Sequence, residues 1–217
     1  MDEFKTEEEQ IAAIKNWWKK NGSSLILAVV AALAIVFGYR GWQGNVEANK
    51  ASASALYQQL VNAVTAQQGL GDETSIVFLA TELKDKFGEM EYAKYAALFL
   101  AKVYAESGKY DEAIAELDFI LNSTEDVRTQ HIVTGRKARL LAAQGQYESA
   151  LAVLNATDEA FKANFLEITG DIQLLQNDPE AAKQSYLSAY TLVQDEPQRA
   201  PLLGVKLSDL GVDTRSL

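Results

Sequence analysis

The sequence has 217 residues, of which 48% are hydrophobic and 23% are charged, a balance that excludes global disorder. It contains no cysteine, which excludes disulfide bonds, a thiol nucleophile and cysteine-ligated zinc or iron–sulfur sites. The formal net charge of -10 makes nucleic acid a poor partner, because phosphate binding depends on clustered Lys and Arg. With only 3 prolines and many good helix formers, the composition predicts an all-α fold.

Residues 1–21 predict a polar tail with a short amphipathic helix. Thr6 and Glu9 have the spacing of a capping box, in which each side chain bonds the backbone N–H of the other residue. Four apolar side chains follow at helical spacing on one face: Ile11, Ile14, Trp17 and Trp18. Two interpretations stay open, a helix on the membrane surface or on a partner, and a plain extension of the next helix. Asn21 and Gly22 are predicted to separate the two helices.

Residues 22–42 are predicted to form a transmembrane anchor. Leu25–Phe37 contains only Leu, Ile, Ala, Val and Phe, and Arg40 is the one charge in the segment. As a helix, the segment is about 30 Å long, which matches the hydrocarbon core of a bilayer. Aromatic residues typical of the two membrane interfaces flank it: Trp17 and Trp18 before, Tyr39 and Trp42 after. A cleaved secretion signal and a buried helix of a soluble protein are the alternatives.

The orientation of the anchor is predicted from the basic residues near its ends. Three lie on its N-terminal side and two on its C-terminal side: Lys15, Lys19 and Lys20, then Arg40 and Lys50. Because cytoplasmic flanks carry the excess of Lys and Arg, the bias places the N-terminal tail in the cytoplasm. Residues 43–217 then lie outside the cytoplasm, which is the periplasm in a Gram-negative bacterium.

Three segments with the tetratricopeptide pattern begin near Lys94, His131 and Ala163. In each, one small residue on the first helix and one on the second are predicted to let the two helices approach closely. The pairs are Ala101 with Ala113, Ala138 with Ala150, and Gly170 with Ala182. Gly108 and Gly145 are predicted to end the first helix in the left-handed conformation. The pattern predicts a helical-hairpin solenoid, with an unrelated helical bundle as the alternative.

Helical stretches also flank the repeats. Residues 46–66 and 72–87 read as a degenerate first hairpin, divided at residues 69–71. Residues 201–212 form an apolar stretch too short for a hairpin, and we expect it to cover the last repeat, as solenoid ends must be covered. Pro179 suits the first position of a helix, where its missing N–H costs nothing.

The sequence predicts no catalytic, cofactor-binding or metal-binding residues. Its single histidine, His131, has no cysteine or obvious acid partner, so a structural role is favoured. The phosphate-binding loop, the hydrolase Gly-x-Ser-x-Gly turn and the His-Glu-x-x-His zinc helix do not occur. Most tyrosines fall at repeat core positions, where packing is the favoured role. A peptide groove lined by some of them, with Tyr92 and Tyr95 at the start of a helix, is the alternative.

Short sequence blocks follow one another along most of the chain. They are QIAAIK at 10–15, WW at 17–18, NG at 21–22, GYRGW at 38–42 and SALYQ at 54–58, followed by the repeats. In this combination the chain resembles the YfgM family, the ancillary subunit of the bacterial SecYEG translocon. The individual blocks are loose, and the order in which they occur carries the resemblance.

The resemblance implies a type II inner-membrane protein with a periplasmic tetratricopeptide-like domain at residues 43–217. It implies association with the SecYEG translocon and with PpiD, a membrane-anchored periplasmic chaperone. It also implies a role in handing exported client proteins to periplasmic chaperones, by binding and without a cofactor. A scaffold for another cell-envelope assembly complex is the alternative function, because the same anchor and repeats would serve it.

Overall fold

The structure, a computed structural model, describes residues 7–65, 73–154 and 159–213. All regular structure in these ranges is helical, and no strand occurs in them. Inter-residue contacts divide the chain into two units, Met1–Ser52 and Ala53–Leu217. The described part of the first unit is one stretch of helix, and the second unit is a set of packed helices. The fold is therefore all-α, as predicted.

The first helix, α1 (Glu7–Thr65), has 59 residues and runs through the position where a break was expected. The predicted break at Asn21 and Gly22 is wrong. Asn21 Nδ2 donates a hydrogen bond of 3.1 Å to the carbonyl of Trp17, one helical turn earlier, so this side chain supports the helix. The Trp18 ring lies over Gly22, where a Cβ would be 3.1 Å from its Cε2 atom. Glycine here makes room for an aromatic ring and does not end the helix.

Over the predicted anchor, α1 exposes apolar side chains in an unbroken run. Each of the following is at least two-fifths exposed: Leu25, Ile26, Leu27, Val29, Val30, Leu33, Ile35, Val36 and Phe37. In the described part of the chain, α1 is the one helix long and apolar enough to cross a membrane, and only 6% of its apolar window is buried. The core helix of a soluble protein would be mostly buried, so that alternative does not fit.

The second unit continues with eight further helices in the described residues. They are α2 (Glu73–Phe87), α3 (Glu91–Glu106), α4 (Tyr110–Ser123), α5 (Val127–Ala143), α6 (Tyr147–Ala152), α7 (Glu159–Leu175), α8 (Pro179–Val193) and α9 (Ala200–Asp209). Helix α8 begins at Pro179, as predicted. Thr6 of the predicted capping box and the division predicted at residues 69–71 lie outside the described residues.

Four clusters of buried side chains hold the second unit together, and each cluster joins three consecutive helices. The first joins the end of α1 to α2 and α3, and the second joins α3, α4 and α5. The third joins α5, α6 and α7, and the fourth joins α7, α8 and α9. Helices α3, α5 and α7 therefore contribute to two clusters each. A succession of cores in which neighbouring cores share a helix is the packing expected of a solenoid of helical hairpins.

One hydrogen-bond motif ends four of the described helices. After α3, the Gly108 N–H donates to the Ala105 carbonyl at 3.1 Å and the Lys109 N–H donates to the Tyr104 carbonyl at 2.8 Å. The same pair of bonds follows α5, α7 and α9, around Gly145, Asn177 and Gly211. All four turn residues have φ between 60° and 78°, the left-handed region that glycine adopts without steric cost. Asparagine tolerates this region better than most residues, which explains Asn177.

Helix α9 covers the last hairpin, as predicted from its apolar sequence. Its buried side chains Leu203 and Leu207 pack in the cluster that α7 and α8 supply. Lys206 Nζ donates to Glu167 Oε1 at 2.8 Å and to Asp171 Oδ1 at 2.6 Å, and both acceptors lie on α7. Burial lowers the pKa of Lys206, but these carboxylates outweigh it and leave the pKa above its ordinary value. The last helix is thus held by apolar packing and by charge.

Candidate protein-binding groove

The small residues predicted to let paired helices approach are buried. Ala113, Ala138, Ala150 and Ala182 are fully buried, and Ala101 is 6% exposed. Helices α3 and α4 pair in the first hairpin, α5 and α6 in the second, and α7 and α8 in the third. Larger side chains at these positions would have to displace a neighbouring helix, because folded cores have little free volume.

Gly170 shows most directly why a small residue is needed between paired helices. A Cβ on Gly170 would lie 2.7 Å from Cδ1 of Tyr186, far closer than carbon atoms approach one another. The Tyr186 ring is almost completely buried, and its hydroxyl donates a hydrogen bond of 2.7 Å to Asp171 Oδ1. The ring of α8 therefore lies against the backbone of α7. Burial, together with Asp171, raises the pKa of Tyr186 far above its ordinary value.

A groove lies between α3 and α5. Its first depression is a cavity of about 500 Å³. The side chains that line it come mainly from these two helices, with one contribution each from α1 and α4: Tyr57, Tyr95, Leu98, Phe99, Ala101, Lys102, Ala105, Leu117, Arg136, Arg139 and Leu140. Most of this lining is aliphatic or aromatic. A concave, mostly apolar surface with a few polar groups is the usual form of a binding site.

A second depression, of about 550 Å³, continues the groove toward the start of α5. It shares Tyr95, Leu98 and Arg136 with the first, so the two form one surface, here called the α3–α5 groove. Its outer end is lined by Asp126 and Thr129, where Asp126 caps α5 by accepting the Thr129 N–H at 2.9 Å. The Thr129 hydroxyl also donates to Asp126 Oδ2, and this bond, together with the capping bond from the Thr129 N–H, lowers the pKa of Asp126.

Tyrosines divide between packing and the groove. The rings of Tyr57 and Tyr92 are 5.2 Å apart and those of Tyr57 and Tyr95 are 5.7 Å apart, an aromatic group at one edge of the groove. Tyr95 is 45% exposed, whereas Tyr186 is 1% exposed. Tyr186 therefore has the packing role that the sequence favoured, whereas Tyr95 lines a groove.

Arg136 and Arg139 are groove residues that the sequence analysis missed. Both are exposed on α5, and in the described part of the chain neither forms an ion pair. Lys102 on the facing α3 is paired with Glu106, at 3.8 Å. The signal was present in the sequence, because Arg136, Arg139 and Leu140 recur at helical spacing on the side of α5 away from buried Ala138.

His131 is a packing residue. Its ring stacks on Phe161, with 4.3 Å between ring centroids and 5° between the planes. Its Nδ1 lies 2.6 Å from the Val127 carbonyl, one turn earlier in α5. Among the residues that the structure describes, no group of acidic or histidine side chains has the arrangement of a metal site. The arrangement around His131 is that of a satisfied structural histidine.

The residues assigned to the membrane anchor and its interfaces all lie on α1 and are exposed. They are Trp17, Trp18, Leu25, Phe37, Tyr39, Arg40 and Trp42. The Tyr39 and Trp42 rings are 6.0 Å apart, on one side of the helix. Such amphipathic aromatic side chains suit the boundary between lipid and water.

The succession of hairpins and their shared cores defines a tetratricopeptide repeat-like protein, and the family profile described as a tetratricopeptide repeat-like domain matches residues 15–212. An ancillary SecYEG translocon subunit of Haemophilus influenzae is 33% identical over 184 residues, which cover 84% of this chain and 88% of the relative. The ancillary SecYEG translocon subunit of Escherichia coli is 25% identical over 214 residues, covering 98% and 100%. That of Neisseria gonorrhoeae is 25% identical over 205 residues, covering 94% and 97%. This chain belongs to the YfgM family of ancillary SecYEG translocon subunits, and the resemblance noted from the sequence is confirmed.

Proposed function

We propose that this protein is a membrane-anchored interaction subunit of the SecYEG translocon that helps to hand exported proteins to periplasmic chaperones. In this proposal, residues 1–21 are a cytoplasmic tail, residues 22–42 cross the inner membrane, and residues 43–217 form the periplasmic domain. One observation carries the proposal: three proteins named as ancillary SecYEG translocon subunits match this chain over 84–98% of its length.

In this proposal, the anchor holds the protein in the membrane beside the channel. A helix with exposed apolar side chains from Leu25 to Phe37, with aromatic residues at both ends, is suited to hold the chain in the bilayer. Tethering beside the channel raises the effective concentration of the interaction domain there, reaching the millimolar range for short flexible links. A weak binding surface is then sufficient to engage chains as they emerge.

In this proposal, the α3–α5 groove binds the partner proteins. The residues that line its first depression are mostly aliphatic or aromatic, and its charged groups are Lys102, Arg136 and Arg139. Apolar and aromatic side chains beside guanidinium groups are typical of surfaces that bind protein segments. We therefore assign a binding function, with PpiD and exported client chains as the partners.

Site-specific photocrosslinking in intact cells tests this function. A photoreactive amino acid replaces Trp42, Tyr95 or Arg139, and Leu192 on α8 serves as an exposed control position outside the groove. We expect crosslinks to SecYEG subunits from Trp42, and to a chaperone or exported chains from Tyr95 and Arg139. Crosslinks only to unrelated envelope proteins would contradict the translocon function and support a scaffold for another assembly complex.

Cysteine labelling tests the orientation separately. The sequence has no cysteine, so single replacements at Ala12 and Asn122 each provide one reactive site. In cells with a permeabilised outer membrane, we expect an impermeant maleimide to label Asn122→Cys, and to label Ala12→Cys only after lysis. The opposite pattern would invert the proposed topology without affecting the fold.

A further inference from the structure

The α3–α5 groove combines an apolar floor with a cationic edge. Leu98 and Phe99 of α3 and Leu140 of α5 line its first depression together with Arg136 and Arg139. The two arginines are three residues apart on a helix, which places both guanidinium groups on one face. Both side chains are exposed and are within reach of a bound molecule.

This cationic edge has the opposite charge to the domain around it. Residues 53–217 carry 14 Lys and Arg against 24 Asp and Glu, which is the whole net charge of -10. Yet no carboxylate lines the first depression, where Lys102, Arg136 and Arg139 are the charged groups. A surface selected only for solubility in this domain would be acidic, so the basic edge calls for a specific explanation.

Carboxylates near the groove are already engaged. In the second depression, Glu91 accepts from Lys94 Nζ at 2.6 Å, and Asp126 caps α5 through Thr129. Glu106 pairs with Lys102. Arg136 and Arg139 have no ion pair within the described residues, so a bound anionic group would meet two uncompensated guanidinium groups. Arginine binds carboxylates through two parallel hydrogen bonds, which gives strength and direction.

We infer that the α3–α5 groove binds a peptide segment of a partner protein in which carboxylates lie within a few residues of an aromatic or branched apolar side chain. The apolar side chain enters the depression lined by Leu98, Phe99 and Leu140, and the carboxylates pair with Arg136 and Arg139. Basic segments are repelled by the same arginines, so the groove selects against them. This inference deepens the proposed function by naming the chemistry of the partner, and it rests on that function only in taking the partner to be a protein.

Fluorescence anisotropy with paired peptides tests the inference on the full chain in detergent micelles. The probes are three pairs of labelled 12-residue peptides with two Phe, two Leu or two Tyr residues. Within each pair, four neighbouring positions are either Glu or Lys. The protein variants are Arg136→Glu and Arg139→Glu, with Lys183→Glu on α8 as a control of equal charge change outside the groove.

We expect at least one Glu peptide to bind the unmodified chain, and its Lys partner to bind at least tenfold more weakly. Each arginine reversal should weaken the binding of the Glu peptide about three- to tenfold at low salt, whereas Lys183→Glu should change its affinity by no more than about twofold. The double reversal of Arg136 and Arg139 should instead favour the Lys peptide. An unfolded protein would bind neither peptide in the groove, so loss of folding cannot reverse the preference from the Glu peptide to the Lys peptide. Far-ultraviolet circular dichroism monitors folding independently.

Three outcomes would overturn the inference. They are binding of no peptide, equal binding of Glu and Lys partners, and Glu peptide binding that is indifferent to both arginine reversals. Displacement of the peptide by anionic phosphatidylglycerol added in mixed micelles, but not by a neutral phospholipid added in the same way, would assign the groove to a lipid surface instead. If Trp42 still crosslinks to SecYEG in such a case, the proposed function stands and only the partner chemistry fails.

Discussion

Replacing Gly170 with alanine should destabilise the repeat domain. The added Cβ would lie 2.7 Å from Cδ1 and 2.9 Å from Cζ of Tyr186. That ring has little freedom to move, because it is buried and its hydroxyl is bonded to Asp171. Overpacking a core in this way costs about 1–3 kcal/mol, and the rigid ring puts this site at the upper end. Alanine in a helix recovers about 1 kcal/mol relative to glycine, so the net loss is about 2 kcal/mol.

The assay is thermal unfolding of the full chain in detergent micelles, followed by circular dichroism. For a domain of this size, a loss of about 2 kcal/mol corresponds to a fall in Tm of roughly 4–8 °C. Gly135→Ala is the matched comparison, because its one close contact would be with the terminal Cδ1 of Ile168, at 2.9 Å, and the next nearest atom lies at 3.8 Å. A flexible side-chain end can yield, so Gly135→Ala should be the milder change.

A double-mutant cycle identifies the cause. Tyr186→Leu alone should lower Tm through lost packing, but in the Gly170→Ala background it should cost less, because the clash leaves with the ring. An unchanged or higher Tm for Gly170→Ala would show that α7 and α8 do not approach as closely as described. Additive effects of the two substitutions would show that the ring is not what the added Cβ meets.

Three further predictions concern stability. Ala150→Leu should cost about 1–3 kcal/mol by overpacking the α5–α6 crossing, measured by denaturant unfolding, and an unchanged midpoint would refute the assigned register. Gly145→Ala should cost about 1 kcal/mol by forcing alanine into the left-handed region, whereas Asn177→Gly should be neutral or stabilising in the same assay. Folding raises the pKa of Tyr186 above the ordinary value of 10.0. The protonated hydroxyl therefore makes its full contribution to stability below pH 10, and that contribution is lost as the pH rises above 10. Tyr186→Phe should flatten that fall in Tm, and an identical profile would remove Tyr186 as its source.

The helical repeats were predictable because their signals are local. Buried Ala138 and Ala150 and the turn at Gly145 are set by helical periodicity and by one backbone conformation, and both can be read within about 20 residues. The apolar run from Leu25 to Phe37 was equally readable, because composition alone marks it.

Features that depend on the neighbourhood of a side chain were harder to predict. Gly22 looks like a helix breaker in the sequence, and only the Trp18 ring lying over it shows why the helix continues. The α3–α5 groove depends on which parts of two helices, about 40 residues apart, face each other. Arg136 and Arg139 were visible as charged positions on a helix, but their lack of an ion pair could be seen only in the structure.

The succession of cores that share helices has a consequence for the order in which the domain can fold. Each cluster needs only three consecutive helices, and even the ion pair between Lys206 and Glu167 joins residues only 39 apart. Native contacts of such short sequence separation form quickly, because little loop entropy is lost before each one closes. A chain that emerges from a pore from its N-terminal side could therefore complete each hairpin while the next was still threading. Such vectorial folding would let the α3–α5 groove form before synthesis of the last helix had ended.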